Sequence, residues 1–210
     1  MAINYTIYTI QAEVVDITRD TPKAADRFLV DTNVWYWMTY TRASQSASAP
    51  VQYQTSNYPS YMKAALTAGA QIFQSGLTLA ELTHLIEKAE REIYETANGQ
   101  IGAKKYRHNF PNERTRVASQ IQAAWGQVTS LAEPLTATID AQTTTAALNR
   151  FLTEKVDGYD LFILESMKSQ GIVQVITDDG DFATVPGIQI FTANRNVITA
   201  ARNQGKLLTR

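Results

Sequence analysis

A chain of 210 residues with 44% hydrophobic content is long enough for one sizeable core, and a formal net charge of -1 excludes nucleic-acid binding through overall basicity. There is no cysteine and there are two histidines, His84 and His108, which excludes disulfides, thiolate zinc sites, cysteine nucleophiles and a multi-histidine metal centre within one chain. Any metal must be held mainly by oxygen, which favours Mg²⁺ or Mn²⁺, and the absence of a long apolar run or a signal-peptide pattern predicts a soluble, cytoplasmic protein.

Residues 3–17 are rich in β-branched and aromatic types and predict one long or two short strands, ended by Arg19-Asp20-Thr21-Pro22. Phe28-Leu29-Val30 runs into Asp31-Thr32-Asn33, a strand buried on both faces and followed by a helix from Val34 to about Tyr40. Residues 43–57 carry no charge and read as a loop, and Pro59 opens a helix that runs to about Ala68. Gln71 to Gln74 is a short candidate strand. The clearest helix spans Leu79 to Thr96, with Leu82, Leu85, Ile86, Ala89 and Ile93 on one side and Glu87, Lys88, Glu90 and Arg91 on the other. Residues 98–116 form a polar, basic connection. Further elements are a helix over 117–132, a strand over 135–139, a helix over 143–156, a helix over 161–169, strands over 172–177 and 188–192, and a helical or irregular tail. This alternation predicts an α/β domain with a mainly parallel sheet of about five strands.

Four acidic positions fall where such a fold aims side chains at one sheet edge. Asp31 follows one strand, and Asp178-Asp179-Gly180-Asp181 follows another; neighbouring strands lie about 4.8 Å apart, so their terminal acids can share a divalent ion. Each also has a structural reading, Asp31 as a helix cap and Asp-Asp-Gly-Asp as a tight turn. Glu81 sits roughly 40° from Leu85 on a helical wheel, at the rim of the buried face, where it also suits the first turn of its helix. Asp160 shares the face of Leu164 and Met167, with Asp157 as the capping acid. Clustered carboxylates seat Mg²⁺ or Mn²⁺, and such ions activate water for attack on a phosphodiester.

In Val30-Asp31-Thr32-Asn33, Thr78-Leu79-Ala80-Glu81-Leu82, Asp160 and Ile176-Thr177-Asp178-Asp179-Gly180-Asp181-Phe182, the chain resembles PIN-domain ribonucleases, the fold of VapC-type toxins and of several RNA-processing nucleases. The resemblance covers roughly 28–195. It implies a three-layer α/β/α domain preceded by an N-terminal β extension (1–27) and followed by a tail (196–210). It further implies a metal-dependent endoribonuclease in which Asp31, Glu81, Asp160 and Asp179 are catalytic and hold Mg²⁺ or Mn²⁺, with Asp181 as an additional ligand and Asp178 as a variable position. Thr177 and Asn33 would position substrate. The implied partners are an RNA substrate, an antitoxin protein if the chain is a toxin, and a second copy in a homodimer. The chain departs from compact toxins in its N-terminal segment and in the long 41–76 and 97–116 connections.

Lys104, Lys105, Arg107, Arg114 and Arg116 crowd a segment whose sole acid is Glu113 and are the local candidates for gripping RNA phosphates, or else a solvated loop. Trp35, Tyr36, Trp37 and Tyr40 either stack on bases or pack a helix on the sheet. The basic tail, with Arg195, Arg202, Lys206 and Arg210, reads as a solvated end. A haloacid-dehalogenase phosphatase needs an acid where Asn33 stands, a metal-dependent adhesion site needs serines where Asn33 and Trp35 stand, and a receiver domain needs a lysine after the last strand. The remaining rival is a PIN-like binding module without turnover.

Overall fold

The computed structural model describes residues 7–156 and 158–210. Seven parallel strands form one sheet: β1 (Glu13–Asp16), β2 (Arg27–Val30), β3 (Gln71–Ser75), β4 (Glu133–Leu135), β5 (Gln174–Ile176), β6 (Gln189–Thr192) and β7 (Leu207–Leu208), in the order β4-β3-β2-β5-β6-β1-β7. The helices are α1 (Thr32–Thr39), α2 (Gln52–Ala68), α3 (Gly76–Asn98), α4 (Ala103–Asn109), α5 (Pro111–Leu131), α6 (Ala141–Thr153), α7 (Asp160–Ser169) and α8 (Arg195–Asn203). Single 3₁₀ turns occur at Ala43–Gln45 and Asp181–Thr184.

Period-two alternation in the central strands builds three layers. Val15, Phe28, Val30, Ile72, Ile176 and Phe191 face one core with Trp35, Tyr58, Met62, Leu82, Ile86, Ala124 and Val128 of α1, α2, α3 and α5. Val14, Leu29, Phe73, Val175 and Ile190 face the other, against Ile163, Leu164 and Met167 of α7, Phe182, and Val197, Ile198 and Ala201 of α8. Covering both faces is what allows these strands to be apolar throughout.

The expected α/β architecture is present, with two strands more than expected. β1 and β7 lie side by side next to β6, so residues on both flanks of the central segment enter the same sheet. β7 has only two residues, too few to show a pattern. The part of the predicted N-terminal strand at residues 3–6 lies outside the described residues, as does Asp157.

Several readings differ from expectation: the strand expected over 135–139 is Glu133–Leu135, that over 172–177 is Gln174–Ile176, and the larger differences have identifiable reasons. Helix α2 begins at Gln52 and carries Pro59 in its interior, because Tyr53, Gln54 and Tyr58 make side-chain bonds there that outweigh one missing N–H. The basic connection is largely helical: Pro111 occupies the first turn of α5, a position its fixed φ favours. Glu90, expected on the solvent side of α3, is fully buried, since it stands four residues after Ile86 and eight after Leu82 on the apolar stripe. The tail is not a solvated end either. Arg210 bonds Asp20 and Asp26 at 2.6–3.0 Å and lies 4.4 Å over the Phe191 ring.

Candidate active site

Chain direction reverses between β2 and β5. From β2 the chain winds outward to β3 and β4, and from β5 it proceeds the other way to β6. The carboxyl ends of the two strands at such a switch point frame a crevice, the usual ligand site of an open parallel sheet. Asp31 follows β2 and Thr177-Asp178-Asp179 follows β5. Val30 is in register with Ile176, and the Asp31 N–H donates to the Ile176 carbonyl at 3.0 Å.

Asp31 is 8% exposed. Its carboxylate accepts from the Thr177 hydroxyl at 2.8 Å, and that hydroxyl accepts from the Asp179 N–H at 2.9 Å. The Asp179 carboxylate accepts from the Asp181 N–H at 2.8 Å, which fixes the turn into the 3₁₀ segment. From the opposite wall, the Thr32 hydroxyl donates to Glu81 at 2.5 Å. Burial pushes the Asp31 carboxyl up to about 7; the Thr177 hydrogen bond opposes this, while the negative charges of Asp179 and Glu81 add to it. The structure therefore brings Asp31, Glu81 and Asp179 within electrostatic reach of one another. Asp160 is the first helical residue of α7, and Tyr159 rather than Asp157 stands at its N-cap. Its neighbour Tyr159 shares a cleft with Ala80, which sets the start of α7 beside the turn of α3 that carries Glu81.

Two predicted roles change. Thr177 is fully buried, so its hydroxyl links Asp31 to Asp179 and cannot itself reach a substrate. Of the basic set, Arg107 and Arg114 pair with Glu87, and Arg116 with Glu90 and Glu113. Arg107 and Arg114 nevertheless line a cleft of about 510 Å³ with Ala80, His84 and Tyr159, next to Glu81. Lys104 and Lys105 are exposed on α4. Asn33 opens onto a smaller cavity on the other side of the α3 ridge.

Sequence reasoning treated Asp178 as variable and residues 43–57 as loop, and so missed a clamp. The Asp178 carboxylate accepts from Tyr58 at 2.6 Å, Gln54 at 2.7 Å and Tyr53 at 2.9 Å, all on α2, and Asn194 holds its carbonyl at 2.8 Å. Burial, together with the Asp178 charge, pushes both phenols up, so they remain donors. The acidic turn is also strapped from the N-terminal side. The Gln11 and Ala12 N–H groups donate to the Ala183 carbonyl, and the Tyr8 ring lies where a Cβ on residue 180 would stand, which is why a glycine occupies it. Tyr58→Phe is expected to cost about 1–3 kcal/mol in urea unfolding, because Asp178 and the Ala193 N–H each lose a partner in a buried place. A change under a few tenths would show that the clamp carries no weight.

Among the described residues, no group of three or more His, Cys, Asp or Glu side chains is arranged so that it could hold a metal ion. The donor chemistry still suits a hard cation, with oxygen ligands only and like charges crowded around a buried carboxyl.

An open parallel sheet with carboxylates gathered at its switch point defines an α/β protein with an acidic site. The PIN domain model matches residues 28–188, and the chain belongs to the PIN domain family. Similar solved structures include VapBC2 from Rickettsia felis bound to a DNA fragment from its promoter (15% identity, 79% of this chain and 98% of that chain covered, TM-score 0.46). Another is PAE2754 from Pyrobaculum aerophilum (16% identity, 85% and 97% covered, TM-score 0.43). No curated protein matches the chain significantly. Among the described residues, no helix is long and apolar enough to cross a membrane.

Proposed function

We propose that the protein is a metal-dependent endoribonuclease. The observation that carries this reading is the buried Asp31 carboxyl, flanked by the charges of Asp179 and Glu81 at the sheet's switch point in a PIN domain. Asp31, Glu81, Asp160 and Asp179, with Asp181 beside them, are the residues that would hold Mg²⁺ or Mn²⁺. When bound, such an ion supplies an activated water and neutralises charge on the phosphodiester. The chain's own contribution is placement. Thr177 joins Asp31 to Asp179, Thr32 turns Glu81 inward, and the Asp181 N–H steadies Asp179. In the cleft beside Glu81, Arg107 and Arg114 share the charge of Glu87, so the cations available to RNA phosphates are Lys104 and Lys105, exposed on the same α4 as Arg107.

The test is cleavage of single-stranded RNA by the purified protein with Mg²⁺ or Mn²⁺. Activity abolished by Asp179→Asn with retained cooperative unfolding supports the reading. Tight RNA binding with no cleavage in either metal would instead make the protein a binding module. Lys104→Ala with Lys105→Ala should weaken RNA binding and reduce the slope of log K against log salt by roughly 1.4, about 0.7 for each phosphate no longer neutralised. An unchanged slope would remove α4 from the RNA path. A toxin role, with an antitoxin as partner, predicts growth arrest on expression of the wild type and none with Asp179→Asn. A homodimer would show by light scattering.

A further inference from the structure

We infer that the cavity between α1, α2 and α3 is a nucleobase pocket that sets base preference next to the candidate scissile phosphate; this rests on the ribonuclease reading. The cavity holds about 230 Å³. That is below the roughly 300–1,000 Å³ of pockets for drug-sized ligands, so it suits a single heterocycle rather than a duplex or a peptide.

Its position follows from the ridge of α3. Glu81, Leu85, Lys88 and Glu92 fall on one stripe at successive turns, and the last three line the cavity. Asn33, on another wall, is two residues after Asp31 and adjacent to Thr32, the partner of Glu81. Gln54, on a third wall, donates to Asp178, the neighbour of Asp179. A base seated here therefore has its phosphate beside the acids.

The lining has the two things base recognition requires, an aromatic face and edge-reading polar groups. Of the aromatic run on α1, Trp35 is fully buried in the core. Trp37 is partly exposed and lines the cavity with Tyr36; its ring is backed by Tyr58 at 5.3 Å, which fixes its plane. The Asn33 amide can both donate and accept. It makes no hydrogen bond within the described residues, whereas both ends of the Gln54 amide are engaged, with Asp178 and with the Val51 N–H. Glu92 is held in place by the Ser48 N–H and hydroxyl, each at 3.0 Å, and presents an acceptor at the rim.

The experiment titrates metal-free full-length protein with millimolar AMP, GMP, CMP and UMP, and with ribose 5-phosphate as the base-free control, by calorimetry and tryptophan fluorescence. At least one nucleotide should bind and quench fluorescence, the four should differ, and ribose 5-phosphate should do neither. Asn33→Ala should weaken the preferred nucleotide about tenfold, as for one lost hydrogen bond. Trp37→Phe, which keeps an aromatic ring and so protects the fold, should remove the quenching. No nucleotide binding, equal binding by ribose 5-phosphate, or unaltered binding in Asn33→Ala would each overturn the pocket. The two readings fail separately: RNA cleavage without nucleotide binding defeats the pocket alone, and selective nucleotide binding without cleavage defeats the ribonuclease alone.

Discussion

Asp31→Asn should abolish RNA cleavage and at the same time make the metal-free protein more stable above neutral pH. Burial and the neighbouring charges of Asp179 and Glu81 raise the Asp31 carboxyl from an ordinary 3.8 to about 7. Between those values the folded chain holds a proton that the unfolded chain has released. Stability therefore declines as pH rises through that window, by at most roughly 4 kcal/mol if the whole shift is expressed through this one group. Asparagine removes the buried charge, keeps an oxygen to accept from Thr177, and gives the adjacent carboxylates a donor. The difference in melting temperature between variant and wild type, measured without divalent ions, should be small near pH 4 and widen up to about pH 8 in favour of the variant. Taking the difference cancels carboxylates elsewhere, such as Asp26 and Glu87, whose pKa values are lowered. Mn²⁺ should then raise the wild-type melting temperature at pH 8 and leave the variant nearly unmoved, because a cation offsets the repulsion that destabilises the empty cluster. A difference that does not vary with pH would mean that Asp31 is neither dry nor crowded, and would remove the basis for a cation site there.

The strands that build the switch point were legible because burial on both faces leaves mostly apolar runs. Phe28-Leu29-Val30 announces itself without reference to anything else in the chain, and so does Ile172 to Ile176, broken only by Gln174. The acids that terminate them were legible for the same reason, since the end of a strand is the start of the sheet edge. Glu81 was readable from its place on a helical wheel. What sequence could not show was long-range polar bonding. Tyr53 and Gln54 look like part of an uncharged loop, with Tyr58 just past its end, until Asp178, more than a hundred residues away, is seen to collect their hydrogen bonds. Arg210 looks like a solvated end until Asp20 and Asp26 are placed beside it. The cation candidates at Arg107, Arg114 and Arg116 were read without the acids of α3 that face them. Charge alone does not say which charges are already matched.

Glu90 is the sharpest of these cases, and Glu90→Ala should be among the most destabilising substitutions in the chain, at about 3–5 kcal/mol. The carboxylate is fully buried. It accepts from the Tyr40 hydroxyl at 2.9 Å, from Arg42 at 2.7 and 2.8 Å, and from Arg116 at 3.2 Å. These partners come from the end of α1, the turn after it, and α5, so a single carboxylate joins three elements to α3. Alanine would leave the Arg42 charge without its partner in a half-buried place, and the buried Tyr40 hydroxyl with nothing to donate to. Set against a typical domain stability of roughly 5–15 kcal/mol, that is a large fraction. Glu90→Gln should cost less, about 1.5–3 kcal/mol, because shape and one acceptor survive. The loss should also reach the active site. The same α1 and α3 that Glu90 holds together bring Thr32 to Glu81, so Glu90→Gln should lower RNA cleavage even at temperatures where the variant is fully folded. Urea unfolding of both variants, with cleavage rates measured well below the transition, checks each part. A Glu90→Ala protein within about 1 kcal/mol of wild type would show that this cluster is not what holds the helical layer over the acids.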